Sequence, residues 1–333
     1  MSNTNSSRVG SVLAFAASIL IVSAAVWLFF NRQLAIDQLS VWTYSPSQGV
    51  ARIEERVDFT PRGKFIFYAT KPVLAEQAHF NEECPRQEAG SPILGCYTNN
   101  DQIYLYDITN QKLDGMEEVT AAHEMLHAVW TRTSPAERER LTVELRNAYE
   151  SLNDPALKSR MDYYERTEPG EFANELHSIL GSEQPNLSDS LERYYGRFFN
   201  RATLLKLHQQ YSEVYSALYT RSDTLYAQMT ELSESIQARS AAYETKSAQL
   251  SADITSFNAR ARGNWFSSQA QFSAERSALV ARSRALDTER DSINASITTY
   301  DTYYNEYVDI AQQIEVLNNS VDSFKPIEQA PSV

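Results

Sequence analysis

His123 and His127 stand four residues apart in the run Val119-Thr-Ala-Ala-His-Glu-Met-Leu-His-Ala-Val-Trp130. On an α-helix that spacing stacks two side chains on one face, so both rings can offer a nitrogen to a single metal ion. Glu124 projects about 100° round the helix from His123, near enough to take a proton from a water beside that metal. His123-Glu124-Met125-Leu126-His127 is an H-E-x-x-H array, and the chemistry it points to is hydrolysis at a zinc centre.

A catalytic zinc takes three protein ligands and keeps a fourth position open. His127 is followed by Ala128-Val-Trp-Thr-Arg-Thr133 with no further histidine, so the third ligand must come from another helix. A helix expected from about 167–171 to Gly181 offers Glu171, Glu175 and His177. Glu171 and Glu175 share a face. His177 lies about 200° round from Glu175 and is the poorer choice. Against the metal reading stand two blander ones: His123 and His127 as ordinary core or surface histidines, and a domain that holds zinc without catalysis. His79 reads as structural or exposed.

These residues together resemble a gluzincin metallopeptidase, in which H-E-x-x-H is completed by a glutamate from a downstream helix. The resemblance covers roughly residues 60–200 and rests on three features. They are an aromatic-rich strand ahead of the motif, His123-Glu124-x-x-His127, and Asn174-Glu175-Leu-His-Ser178 as an N-E-x-x-S/D pattern. It looks like a minimal, membrane-anchored bacterial form of that group. The resemblance implies that Glu175 is the third zinc ligand beside His123 and His127, with Zn2+ as the cofactor and a peptide or protein as the substrate. It also implies that residues 103–108 form an edge strand pairing with the extended substrate. The residue stabilising the transition state is open among Tyr194, Tyr195, His177 and His208. Glu124 is the expected catalytic base, passing the water's proton on to the leaving amine. The alternative from another class is a non-catalytic surface protein on a zincin-like scaffold.

Positioning such a site requires a folded domain, and 42% hydrophobic with 22% charged residues is ordinary for one. A net charge of −13 builds no basic surface for tracking phosphates and argues against a nucleic-acid partner. Residues 9–30 contain no charged side chain and are long enough to span a hydrocarbon core of about 30 Å. The rival is a signal peptide cleaved after Val22-Ser-Ala24; the apolar run continuing through Trp27-Leu-Phe-Phe30 favours an uncleaved anchor. Cys84 and Cys96, the only cysteines, read as a local disulfide outside the cytoplasm, or as two free thiols inside it. The disulfide reading places the N-terminus inside and everything after the anchor on the extracytoplasmic side.

The fold class expected is α+β. A zincin-like domain with a small sheet and an active-site helix follows a transmembrane helix and precedes a long antiparallel coiled-coil hairpin. The divisions are a polar tail 1–8, the anchor 9–30, a juxtamembrane connector 31–48, the metallopeptidase domain 49–199, the hairpin 200–325 and a disordered tail 326–333. Within the domain, 50–57 reads as helix, 64–70 as strand, 72–80 as helix, and 93–97 with 102–108 as a β-hairpin buried on one face. Asp114 with Glu117 reads as a capping box opening the motif helix, and Ser134-Pro-Ala-Glu137 as a second one. Beyond Gly196 neither Gly nor Pro occurs except at Gly263 until Pro326. Heptads run through Tyr243, Leu250 and Phe257 in the first arm and Phe272, Leu279, Leu286 and Ile293 in the second. Arg239, Lys246 and Asp253 interrupt the seam. Such a hairpin could serve as a spacer, recruit a protein partner, or self-associate.

Overall fold

The computed structural model describes residues 4–85 and 93–324. The first residues of the expected polar tail (1–3) and the expected disordered tail (326–333) lie outside the described residues. The described chain is mostly helical, with one three-stranded sheet. It divides into two compact units: one runs to Val214 and resumes at Leu317, and the other comprises Tyr215–Val316.

The first unit begins with α1 (Thr4–Phe30) and α2 (Arg32–Thr43). Within α1 the stretch Leu13–Phe30 has a mean hydropathy of 2.4 and is long and apolar enough to cross a membrane, a test that a signal sequence also passes. Next come α3 (Gln48–Val57), capped by Ser47, and α4 (Pro61–Ala69), capped by Thr60. Residues 64–70 are therefore not a strand. The Thr60-Pro61 start signal and the burial of Ile66 and Phe67 in the core override the β-propensity of the aromatic run.

Residues 72–80 are also not one helix. Lys71 takes a left-handed φ of 46°, β1 (Val73–Ala75) follows, and helix resumes only in α5 (Gln77–Glu83). The expected β-hairpin is present as β2 (Gly95–Tyr97) and β3 (Ile103–Tyr106), antiparallel, with Cys96 opposite Tyr104. β1 pairs in parallel with the other side of β3, so the sheet order is β1-β3-β2. This makes β3 the central strand, so 103–108 is not the expected edge; the edges are β1 and β2. Both faces of β3 are buried, not one. Ile103 and Leu105 join the main core, while Tyr104 and Tyr106 pack with Phe80 and Cys84 in a smaller one. Cys84 and Cys96 form a disulfide that ties α5 to the edge strand.

Helix α6 (Met116–Arg132) runs through the main core, with Ala122, Met125 and Leu126 fully buried. α7 (Pro135–Leu152), capped by Ser134, and α8 (Pro155–Thr167), capped by Asp154, follow it. α9 (Phe172–Glu183) passes through Gly181 instead of ending there. A Cβ at Gly181 would lie 2.5 Å from both Leu126 and Tyr195, so the missing side chain lets α9 approach α6 closely. α10 (Asp189–Tyr195), capped by Ser188, closes the cluster.

α11 (Arg201–Arg262) starts in this unit, and α12 (Gln269–Val321) ends in it. In the second unit the two helices run antiparallel. Arg221 pairs with Glu306, Arg239 with Glu289, Asp253 with Arg282 and Arg260 with Glu275. Leu225, Met229, Leu250, Phe257, Ile293 and Ile310 are buried along the seam. The polar interruptions at Arg239 and Asp253 are thus satisfied across the arms.

Candidate metal centre

Helix α6 opens on Gly115, whose φ of 96° is costly for any residue with a Cβ. Asp114 is not the cap: its carboxylate makes a two-pronged pair with Arg56 at 2.7 and 2.8 Å. Glu117 likewise turns away from the cap, accepting from the Ile108 amide at 2.8 Å and from Arg52 at 3.0 Å. Both residues tie the start of α6 to its neighbours, which a local capping pattern does not foresee.

Three turns of α6 bring His123 and His127 to face α9. Glu175 comes from the first turn of α9. Its Oε1 lies 3.4 Å from His127 Nε2 and its Oε2 lies 3.8 Å from His123 Nε2. The three donor atoms lie within 4.8 Å of one another, on residues only 5–8% exposed. Glu171 is not brought to the pair. It stands at the N-cap position of α9 without a side-chain capping bond and accepts from Asn174 Nδ2 at 2.9 Å. That bond fixes the Asn174 amide so that its oxygen meets His127 Nδ1 at 3.0 Å, with Ser178 Oγ 3.3 Å from the same nitrogen. An acceptor there keeps a proton on Nδ1, so Nε2, which faces Glu175, is the nitrogen that a metal ion could take. His123 Nδ1 is buried with no hydrogen-bond partner among the described residues.

Two imidazole nitrogens and one carboxylate oxygen, converging from two helices, form a donor set that could hold a metal ion. The electrostatics couple the three groups, and a metal ion bound at His127 Nε2 would have to displace a proton there. Burial opposes a charged His127, but the Glu175 and Glu124 carboxylates hold its pKa above the usual imidazole value. Burial also opposes a charged Glu175, yet His127 and His123 hold its carboxyl below the usual range. Glu124, on the same helix, is pushed up by burial, partly offset by the two imidazoles and by the Tyr97 amide that faces it.

Of the residues open for stabilising a transition state, three are engaged elsewhere. His177 Nε2 meets Tyr194 Oη at 3.0 Å, and Tyr195 Oη donates to the His177 carbonyl at 2.9 Å. Burial pushes the His177 ring down to about 3, so it stays neutral. His208 lies 4.0 Å from Glu183. Near the cluster, sequence reasoning does not single out Arg160 and Tyr164, four apart on α8. Arg160 pairs with Glu183 at 2.6 Å. The Tyr164 phenol, pushed up mainly by burial, also feels Glu175 and Glu124. Asp154-Pro155 was the available signal for α8, since Asp154 caps the amides of Ala156 and Leu157. Nothing local says that this helix faces the site. No family model, curated protein or solved structure matches the chain.

Proposed function

We propose that the protein is a membrane-anchored zinc metallopeptidase of gluzincin type. The observation that carries this reading is the buried convergence of His123, His127 and Glu175 with Glu124 one residue along the same helix. A zinc ion held by the three would act as a Lewis acid, polarising a scissile carbonyl and acidifying water. Glu124 would accept the proton of the attacking water and return it to the leaving amine, a task suited to a carboxyl whose pKa is raised by burial. β2, the edge strand beside Glu124, would align an extended peptide in place of 103–108. Tyr164, whose phenol feels Glu175 and Glu124, would be the donor for charge developing on the carbonyl oxygen, with Arg160 held by Glu183 beside it. α1 would hold the chain in the membrane, and the disulfide favours an extracytoplasmic site. The antiparallel helices of the second unit would serve as an arm that brings the site to a partner or substrate.

The test is Glu124→Gln in the full chain. Zinc stoichiometry should stay at that of the parent while peptide cleavage is lost, whereas His127→Ala should lose both. Cleavage by Glu124→Gln at the parent rate would remove Glu124 from the chemistry. A parent protein that binds less than about one zinc would instead favour the arm as the functional part.

A further inference from the structure

Arg132, the last residue of α6, sits two turns beyond Glu124, and its side chain is only 11% exposed. All five of its N–H groups are used. Nε and Nη2 donate to the two oxygens of Asp37 on α2, at 2.9 and 2.7 Å. Nη1 and Nη2 donate to the two oxygens of Asp101, at 2.9 and 2.6 Å, and Nη1 also reaches the Ala128 carbonyl at 3.1 Å. A rigid planar fork is the only side chain able to hold two carboxylates in this way. Gln33, also on α2, donates to Asp37 at 2.9 Å and to Asp101 at 3.3 Å. Asp101 in turn accepts from Tyr97 Oη at 2.7 Å. It occupies the tight turn between β2 and β3 with a left-handed φ of 58°.

That turn controls what lies against Glu124. Leu94 accepts from the Tyr106 amide and Thr98 donates to the Gln102 carbonyl, each at 2.9 Å, so the alternate residues Gly95 and Tyr97 aim their amides away from β3. Glu124 occupies that side. A Cβ on Gly95 would lie 2.8 Å from Glu124 Cγ and 2.9 Å from Oε1. α2, for its part, continues the hydrogen bonding of α1: Asn31 donates to the Trp27 carbonyl and Ala35 to the Asn31 carbonyl.

We infer that Asp37 and Arg132 are positioning residues, through which the juxtamembrane helix α2 holds the β2–β3 turn and keeps the edge strand seated against Glu124. Residues 31–48 are then part of the site's architecture as well as a link to the membrane helix. The structural claim stands on these contacts alone; its consequence for turnover rests on the peptidase reading.

The experiment compares amide hydrogen exchange across 94–98 in the detergent-solubilised full chain for the parent, Asp37→Asn, Asp101→Asn and the double variant. The Tyr97 amide has no β3 partner, so its protection reports directly on the seating of β2. Asp37→Asn should speed its exchange by about tenfold or more, and the double variant should exceed neither single by much, because one clamp is opened each time. Unchanged exchange in Asp37→Asn, or fully multiplicative effects, would overturn the inference. Should Asp37→Asn fail to fold, Gln33→Ala gives the same readout, and parent-like exchange there overturns it equally. Zinc stoichiometry is expected to stay constant, with kcat down about tenfold and KM within about twofold, as for loss of an outer-layer partner. If the parent cleaves no peptide, the functional proposal fails while the exchange data still decide the clamp.

Discussion

Arg132 in the site unit and Arg221 in the helical hairpin both grip a carboxylate with two N–H groups, and both join segments far apart in sequence. Arg132 meets Asp37 with the two side chains 11% and 5% exposed. Arg221 meets Glu306, at 2.6 and 2.7 Å, with the two side chains 43% and 41% exposed. Around Arg132 no apolar periodicity dictates where α2, the β2–β3 turn and the end of α6 must meet. Directional, desolvated hydrogen bonds do that work. Around Arg221 the register is already set by the apolar seam through Leu225, Met229 and Ile310. The same pairing chemistry therefore specifies geometry in one unit and decorates it in the other.

The sharpest way to break this comparison is to remove each arginine's charge while keeping its bulk. Arg132→Met leaves Asp37 and Asp101 facing each other with their main donor gone, and it should destabilise the first unit by about 3–5 kcal/mol, the cost of stranding buried charges. Chemical denaturation of the full chain, followed by exchange in 94–132, measures it. A loss no larger than that of an exposed ion pair would mean that apolar packing, and not the clamp, fixes this corner.

The same contrast explains what could be read from the sequence. The hairpin was legible because its determinants are local: heptads, the absence of Gly and Pro within the arms, and a single break at Gly263. The histidine pair was legible because four residues on a helix is also a local relation. Thr60-Pro61 is a valid helix start signal, but the aromatic run after it reads as strand, so local propensity misplaces 64–70. What the chain did not disclose is relational. Whether β3 or β2 lies at the edge depends on β1, a three-residue strand preceded by a left-handed Lys71. Asp37, in an apparent connector, and Arg160 and Tyr164, on an unnoticed helix, acquire meaning only from what packs against them. The ligand-like Glu175 lay between these cases. It was nominated by resemblance, and the structure places it against both imidazoles.

A smaller effect is expected from Asn174→Ala, which removes the amide oxygen beside His127 Nδ1 but leaves Ser178 beside the same nitrogen. Zinc affinity, measured by competition with a chelator, should fall by about tenfold, the lower end for an outer partner. The thermal midpoint of the apoprotein should stay close to that of the parent, since the amide is half-buried at the end of α9. An unchanged zinc affinity would show that Ser178 alone orients the ring. Loss of zinc altogether would mean that Asn174 acts on Glu175 as well.

The smallest effects belong to the hairpin. Its arginines hold Glu306, Glu275 and Asp253 below the ordinary carboxylate range, in each case chiefly through a side-chain hydrogen bond from Arg221, Arg260 or Arg282. A carboxyl with a depressed folded pKa contributes stability that is complete above its unfolded value, 4.5 for Glu and 3.8 for Asp, and is lost as pH falls through the folded value. Protection across Tyr215–Val316, meaning exchange corrected for the intrinsic pH dependence of amide exchange, should therefore be flat from neutral pH down to about 5 and fall only below about 4. These groups are exposed and screened by salt, so Arg221→Met at neutral pH should leave that exchange indistinguishable from the parent. Faster exchange along both arms in Arg221→Met would mean that the ion pair helps to set the register. The hairpin would then depend on its charges as the site unit does, and the contrast between the two units would collapse.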